Sequence, residues 1–319
     1  AIESVTGAVD QRLTRIAVIN DNMPFLVDSV AATIGDRGLA IDRLVHPVVG
    51  VQRDKAGRLL ALEDAADASE AVESVIYVEA VRADARTRVA LRAALDETLA
   101  AGRAAVADWP KMQDALAADA ERLDAAGDAE SAALLRWFRG GMLTQLGHVR
   151  RGRDGRMKGA LGVCRRGGGH VLPDAASFAR AFAWFDANSS RGPLILKSDE
   201  VGHVHRRVPP DIFVVPEVDA KEGRVAALSI HVGLWTSAAL AAPPAFVPGL
   251  RAQLSALTEK FGFDPRGHDG KALVHALTTL PHDLLIAFGA DDLERVATAM
   301  MALIDRPRPR LLLVRSPLD

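Results

Sequence analysis

The sequence predicts an α+β protein with two domains, each built on a mainly antiparallel sheet, joined and followed by helices. Its 319 residues exceed one ordinary core, which makes two domains the natural expectation. Short β-branched runs are joined by turns and separated by segments of helical periodicity. Hydrophobic residues form 49% of the chain and charged residues 25%, which is the balance of a folded globular protein.

Residues 1–101 are predicted to form the first domain, which has an antiparallel sheet with helices on one face. Its first strand lies within residues 15–22, and Pro24 suits the first turn of the helix that follows. Pro47 interrupts a β-branched run, which indicates a sheet edge or a bulge at that point. The remaining predicted elements are strands at 41–52, 58–62 and 74–81, a hairpin turn at 54–57, and a helix with leucines at 91, 95 and 99.

Residues 102–140 predict a helical spacer, broken at Gly127, and residues 141–245 predict a second α+β domain with an antiparallel sheet. Its candidate strands are 143–149, 159–163, 194–198, 203–208, 212–218 and 225–235. A helix at 175–185 interrupts them, and the turn at 219–223 joins the last two strands as a hairpin.

Residues 246–305 predict a helical segment. Its helices are expected at 250–261, 271–280 and 293–303. Apolar residues in the first of them recur at spacings of four, three and four, which is typical of an amphipathic helix. Asp269 is the predicted cap of the second helix. Residues 306–319 predict a stiff Arg-Pro linker and then the first strand of a truncated next domain.

Composition and charge exclude several classes of protein. The formal net charge is −2, so the chain lacks the overall basic character of a nucleic-acid binder. The single cysteine, Cys164, rules out internal disulfides and cysteine-based metal clusters, and a half-buried structural thiol is favoured over one activated by Arg165. No run approaches the ~20 apolar residues of a membrane span. Residues 1–10 do not resemble a signal peptide, so a cytoplasmic protein is expected.

The sequence predicts no catalytic residue, no bound cofactor and no metal. No Gly-x-Gly-x-x-Gly motif follows a strand, and the glycines at 167–169 indicate a hairpin loop instead. His203 and His205 alternate on one predicted strand, and His231 is conceivable as a third metal ligand. Arginines nearby oppose a cation, so ordinary surface or sheet histidines are favoured. Seven basic side chains between 146 and 170 form a patch for an acidic partner or, as we favour, a solvated hairpin.

The turn between the first strand and the first helix is the candidate binding site. Backbone N–H groups at a helix start can bind a carboxylate, and Asp21 or Asp28 can take an ammonium group. The competing interpretation is plain capping of the helix by Asp21 or Asn22.

The same turn carries a resemblance to a known family. Residues 20–29, Asn-Asp-Asn-Met-Pro-Phe-Leu-Val-Asp-Ser, resemble a stretch near the start of the large bacterial NAD-specific glutamate dehydrogenases. Further segments are similar to that family in the same order, over essentially the whole chain. They are 46–49 (His-Pro-Val-Val), 108–112 (Asp-Trp-Pro-Lys-Met), 193–198 with His205-Arg206 behind it, 233–237 (Gly-Leu-Trp-Thr-Ser), 268–273 and 279–281.

The resemblance implies the N-terminal regulatory region of such an enzyme, with an ACT-like (ferredoxin-like) domain at 1–101 and a PAS-like domain at 141–245. The parent enzyme converts L-glutamate, NAD and water to 2-oxoglutarate, ammonia and NADH, so NAD is the cofactor of the parent. Catalytic lysines and nucleotide-binding glycines lie further along such chains. This region is therefore expected to be inactive alone and to act on the catalytic domain of the same chain.

ACT-like modules commonly bind amino acids and pair through their sheets, which implies an amino-acid effector and a homo-oligomer. The candidate effector-binding residues are those of the turn described above and the start of its helix: Asn20, Asp21, Asn22, Met23, Phe25 and Asp28. Many ACT-like modules carry glycine in this loop, where Phe25 stands. The alternative is a purely structural assembly module without a ligand. For the PAS-like domain, an empty module that makes protein contacts is favoured over one that holds haem or flavin.

Overall fold

The computed structural model describes residues 1–6, 12–67, 71–165, 171–187, 192–219, 221–305 and 307–314. The chain forms two compact units. The first comprises Ala1–Ala107 with Val201–Val208, and the second comprises Asp108–Glu200 with Pro209–Asp319. Each unit holds one antiparallel sheet with helices, so the predicted α+β class is confirmed.

The sheet of the first unit centres on its longest strand, β6. Its strands are β1 (Ile2–Thr6), β2 (Arg12–Asp21), β3 (Ile41–Val45), β4 (Val48–Arg53), β5 (Leu59–Asp64) and β6 (Ala71–Val81). They lie in the order β1-β2-β6-β4-β5, and β3 also pairs with β6. Every pairing is antiparallel.

Two details of this sheet bear on the predictions. The predicted interruption at Pro47 is confirmed, because β3 ends at Val45, β4 begins at Val48, and the Pro47 carbonyl accepts the Val75 N–H at 2.9 Å. Strand β1 was not predicted. Its five residues are mostly exposed, so they show too little alternation to identify a strand without the partner β2.

Helices α1 (Leu26–Gly35) and α2 (Ala85–Ala125) accompany the sheet. The core of this unit joins sheet residues such as Ile16 and Ile76 to Val30 of α1 and Leu91 of α2, all fully buried. Helix α2 continues through Pro110, and the compact division of the chain falls within it, after Ala107. The break predicted at Gly127 is present between α2 and the next helix, with a φ of 83°.

The second unit is built on a five-stranded antiparallel sheet. Its strands are β7 (Leu143–Gly152), β8 (Met157–Gly162), β9 (Leu194–Lys197), β10 (Asp211–Val218) and β11 (Val225–Trp235), in the order β8-β7-β11-β10-β9. Helix α3 (Ala129–Trp137) precedes the sheet, and α4 (Ala175–Ala187) lies between β8 and β9 in the chain. Five of the six predicted strands are confirmed, and the range predicted for the last, 225–235, matches β11.

The strand predicted at 203–208 is wrong. These residues form a series of bends, and the loop closes on itself through a hydrogen bond from the Gly202 N–H to the Val208 carbonyl at 3.1 Å. The segment belongs to the first unit, although the chain on either side of it belongs to the second. The expected alternation of His203 and His205 on a strand face therefore does not exist.

Both faces of the second sheet are covered. On one face, Val149, Ile212 and Ile230 pack with Phe178 and Phe185 of α4. On the other face lie helices α2 and α3 and the C-terminal helices. The buried residues shared by that side include Leu116, Leu135, Phe213, Trp235, Leu257 and Leu273. A central strand covered on both sides must be apolar nearly throughout, as β11 is.

The C-terminal helices are α5 (Ser237–Ala241), α6 (Leu250–Phe261), α7 (His268–Thr278), α8 (His282–Leu285) and α9 (Ala290–Asp305). The three predicted helices correspond to α6, α7 and α9. The capping prediction for Asp269 is wrong, because Gly267 is the N-cap of α7 and Asp269 lies in its first turn. The strand predicted at 311–314 is also absent, since these residues have no regular secondary structure. No helix of the described residues is long and apolar enough to cross a membrane.

Candidate functional site

The turn that carries the predicted effector residues joins β2 to α1. Phe25 is the N-cap of α1, with φ 73° and ψ −4°, and no side chain accepts a hydrogen bond from the first N–H groups of the helix. The predicted capping by Asp21 or Asn22 is therefore wrong. Asn22 is engaged elsewhere, because its Oδ1 accepts from Ser74 Oγ at 2.9 Å, and Asp21 is the exposed last residue of β2.

Two further predicted residues fix the turn to its surroundings. Asn20 is buried, its Nδ2 donates to the Asp21 carbonyl at 2.8 Å, and its Oδ1 accepts from Arg103 Nη1 at 2.6 Å. Met23 packs half-buried against the core of the first unit. These side chains are turned inward, so they shape the turn and leave Phe25 and Asp28 as the residues that face a neighbour.

That neighbour is the segment Val201–Val208. The ring of His205 lies 5.0 Å from the ring of Phe25, centroid to centroid. The His205 N–H donates to Ser29 Oγ at 2.9 Å, and its Nδ1 lies 3.2 Å from Asp28 Oδ2. Arg207 forms an ion pair with Asp36 at the far end of α1. The segment thus lies along α1 and covers its first turn.

The first turn of α1 has the chemistry that an amino acid needs. Its N–H groups carry the positive end of the helix dipole and have no side-chain cap, so they suit a carboxylate. Asp28, exposed in that turn, suits an ammonium group. In the described structure, His205 lies against the same turn.

A second polar site lies inside the second unit, between α2 and the sheet. Asp119 of α2, His148 of β7 and His231 of β11 each offer one ligand-capable atom, and the three atoms lie within 4.8 Å of one another. His231 Nε2 and Asp119 Oδ2 are 2.7 Å apart, and the two imidazole rings are 4.8 Å apart. His231 is 0% exposed and Asp119 is 1% exposed.

Hydrogen bonds extend this cluster in both directions. Gln145 Nε2 lies 3.1 Å from His231 Nδ1, and Gln113 Nε2 donates to Gln145 Oε1 at 3.0 Å. His148 Nε2 lies 3.0 Å from Ser229 Oγ. The Nδ1 atom of His148 is buried and has no hydrogen-bond partner among the described residues.

The charges of the cluster follow from burial and from Arg122. Burial lowers the pKa of His148 to about 3, so its imidazole is neutral near pH 7. Burial alone would raise the pKa of Asp119, but the hydrogen bond with His231 and the nearby Arg122 together lower it, so the carboxyl is ionised.

This cluster is not predicted from the sequence. His231 was expected at most to join His203 and His205, which belong to the other unit. Asp119, His148 and His231 are far apart in sequence and lie on a helix and two strands. A polar residue inside the apolar run of β11 was the one available signal.

Two further predictions concern the region around β8. Cys164 is 1% exposed, and burial raises the pKa of its thiol to about 12, so it is a structural thiol as predicted, although it is fully buried rather than half-buried. Several of the basic side chains nearby have carboxylate partners. These pairs are Arg150 with Glu217, Arg153 with Asp186, Arg156 with Asp154 and Arg165 with Asp108. Arg166 and the glycines at 167–169 lie outside the described residues.

Comparisons with known proteins agree with this architecture. Residues 6–95 match the family model "Glutamate dehydrogenase, ACT1 domain", and residues 247–306 match "Glutamate dehydrogenase, helical motif 1". The chain is 30% identical to the NAD-specific glutamate dehydrogenase of Halomonas elongata, over 93% of its own length. It is also 30% identical to that of Pseudomonas aeruginosa, over 95% of its length. In both cases it spans 20% of the length of the relative.

Proposed function

We propose that this chain, which resembles the N-terminal region of the NAD-specific glutamate dehydrogenases, regulates such an enzyme without carrying out a catalytic step. The parent reaction would be the conversion of L-glutamate, NAD and water to 2-oxoglutarate, ammonia and NADH. NAD would bind elsewhere in the parent protein, and the catalytic domain of the same polypeptide would be the partner of this region. A cytoplasmic location and a homo-oligomeric state are part of the same proposal.

One observation carries the regulatory role. The unit that matches an ACT1 domain presents the uncapped start of α1 beside an exposed carboxylate, Asp28. An amino acid is the ligand class with complementary groups, since its carboxylate suits the N–H groups and its ammonium suits Asp28. Asp21, at the end of β2, is a second candidate for the ammonium group.

The position of His205 suggests how binding would be regulated. His205 already uses Asp28, Ser29 and the ring of Phe25. An amino acid bound at these groups would have to displace segment 201–208 from α1. Binding at the turn would therefore be coupled to release of that segment, and the free energy of its contacts would lower the apparent affinity.

A second candidate function is a structural assembly module that binds no effector. The contacts between segment 201–208 and α1 favour it, because they already engage Asp28, the group that a ligand's ammonium would use. In this case Phe25 and His205 would serve only to hold the segment in place.

A PAS-like fold for the second unit is likewise a proposal. Five antiparallel strands, with the first and last strands of the unit adjacent in the sheet and a helix between the second and third, support it. The domain limits 1–101, 102–140, 141–245, 246–305 and 306–319 also stay predictions.

Isothermal titration of the chain with a panel of amino acids separates the two functions. The regulatory proposal expects saturable binding of at least one amino acid, weakened about tenfold or more by Asp28→Asn because a charged partner of the ammonium is lost. His205→Ala should tighten binding, since the competing contacts are removed. Asp42→Asn, an exposed aspartate on β3, is the matched control and should bind as wild type does. If no amino acid binds to wild type or to His205→Ala, the structural module is favoured.

A further inference from the structure

We propose that Asp119, His148 and His231 bind one divalent transition-metal ion, of which Zn²⁺ is the best example, inside the second unit. The three side chains come from α2, β7 and β11, and their ligand atoms converge within 4.8 Å. Zinc bonds of about 2.0–2.1 Å place ligand atoms roughly 3.3 Å apart, so only small side-chain movements are needed. The proposed effector turn, in the first unit, plays no part in this site.

The donor set selects the class of metal. Two imidazole nitrogens and one carboxylate oxygen suit zinc and its first-row neighbours. Magnesium and calcium prefer shells made wholly of oxygen atoms, so they fit poorly. With three protein ligands, a water molecule would complete a tetrahedral shell.

The hydrogen bonds around the cluster have the form of an outer ligand shell. In metal sites the second ring nitrogen of a histidine is usually held by a polar neighbour. Gln145 holds Nδ1 of His231, and Ser229 holds Nε2 of His148. Nδ1 of His148 is buried and has no hydrogen-bond partner among the described residues. Buried polar atoms usually have a partner, and a metal ion bound to Nδ1 would supply one.

Without a metal, a proton on His231 Nε2 bridges this nitrogen to Asp119 Oδ2. Gln145 then donates to Nδ1. With a metal on Nε2, the proton moves to Nδ1, and a rotation of the Gln145 amide lets its oxygen accept that proton. Gln113 can rotate in the same way and accept from Gln145. The network can therefore satisfy both states.

Charged groups near the cluster come as two pairs of opposite sign. Arg122 pairs with the other carboxylate oxygen of Asp119, at 2.5 Å, which leaves Oδ2 for the metal. Glu217 lies 3.8 Å from Arg122 and 2.6 Å from Arg150. The carboxylate of Glu217 thus offsets part of the positive charge around the site.

The test begins with the intact chain, stripped with a chelator and titrated with Zn²⁺. We expect about one zinc per chain, a higher melting temperature with zinc, and with Co²⁺ the visible bands of a four-coordinate nitrogen and oxygen site. His148→Gln and His231→Gln should each weaken zinc binding about tenfold or more. His275→Gln, an exposed histidine on α7, should have no effect.

His148 is only partly buried, so His148→Gln is the variant most able to keep the fold. Far-ultraviolet circular dichroism of each variant verifies folding. The proposal is overturned if the folded wild type takes up no zinc, or if folded His148→Gln takes it up as tightly as wild type. Amino-acid titration of His148→Gln reports separately on the effector turn, so the two proposals can fail independently.

Discussion

The rings of Phe25 and His205 are in tilted contact, with an angle of 42° between their planes, and both residues hold a left-handed backbone conformation, with φ of 73° and 68°. They are the two non-glycine residues with positive φ in the described part of the chain. Such a conformation costs an L-residue roughly 1–2 kcal/mol. The two strained residues are in contact, and they lie at the turn predicted as a binding site. The surrounding structure must therefore hold both of them in this unfavourable conformation.

The backbone strain at Phe25 predicts an unusual order of substitutions. Phe25→Ala removes the ring and keeps the strain, whereas Phe25→Gly removes both. We therefore expect Phe25→Gly to be more stable than Phe25→Ala by about 1 kcal/mol, measured as the free energy of unfolding in urea. Val27 is the second residue of α1 and has a helical conformation. There Val27→Ala should be more stable than Val27→Gly, because a helix favours alanine over glycine. Equal or reversed stabilities at Phe25 would show that the strain is absent.

Glycines 159 and 162 of β8 give a matched pair for close packing. Both have positive φ, 63° and 58°. A Cβ at Gly162 would lie 2.1 Å from the Leu146 carbonyl oxygen, whereas a Cβ at Gly159 would meet nothing within 4 Å. We expect Gly159→Ala to cost about 1 kcal/mol and Gly162→Ala more than about 3 kcal/mol, because backbone atoms must move. Chemical denaturation measures both. Similar losses at the two positions would contradict the close approach of β7 to β8.

These examples show what the sequence could and could not predict. Strand β11 was predicted from end to end because it is a mainly apolar run that follows the hairpin turn at 219–223. Residues 203–208 were also predicted as a strand from their local sequence. In the structure they contact α1 of the first unit rather than a neighbouring strand. Local pattern carries no information about such a distant partner.

The candidate sites differ in the same way. The effector turn is contiguous in sequence, so its residues were identified, but the cover provided by His205 was not. The Asp119 cluster depends on packing of α2 against β7 and β11, with register shifts in both strands. A one-residue slip of either strand would turn its histidine to the opposite face. Sequence alone does not specify that register.

The ion pair of the buried Asp108 with Arg165 is expected to stabilise the fold. It is 2% exposed, accepts the Gly162 N–H at 2.8 Å and pairs with Arg165, whose hydrogen bonds lower the pKa of Asp108 despite its burial. Asp108→Ala should lower the free energy of unfolding by about 2–3 kcal/mol, because a charge-assisted acceptor is lost. Asp114→Ala, exposed six residues further along α2, should change it by less than about 0.5 kcal/mol. Equal losses of unfolding free energy in the two variants would contradict a stabilising role of the Asp108–Arg165 pair.

The buried carboxyl of Asp211 is expected to make the free energy of unfolding depend on pH. Burial, reinforced by Asp283, raises the pKa of Asp211 to about 6 although Lys197 Nζ lies 2.9 Å away. A raised carboxyl pKa means that ionisation opposes folding, so this residue destabilises the protein as pH rises from about 4 to above 6. Relative to Asp211→Asn, wild type should lose roughly 3 kcal/mol of unfolding free energy over that range.

The comparison of wild type with Asp211→Asn cancels titrations that both proteins share. Urea denaturation at pH 4, 5, 6 and 7 measures the difference between them. A difference that does not change with pH, or that favours wild type at higher pH, would contradict the raised pKa.

The claim that this region regulates but does not catalyse is tested most directly by its own activity. Purified chain is given L-glutamate and NAD, and NADH formation is followed by absorbance, with the intact dehydrogenase as positive control. We predict a rate equal to the protein-free blank at every chain concentration. NADH formation that rises in proportion to the amount of folded chain would contradict the account.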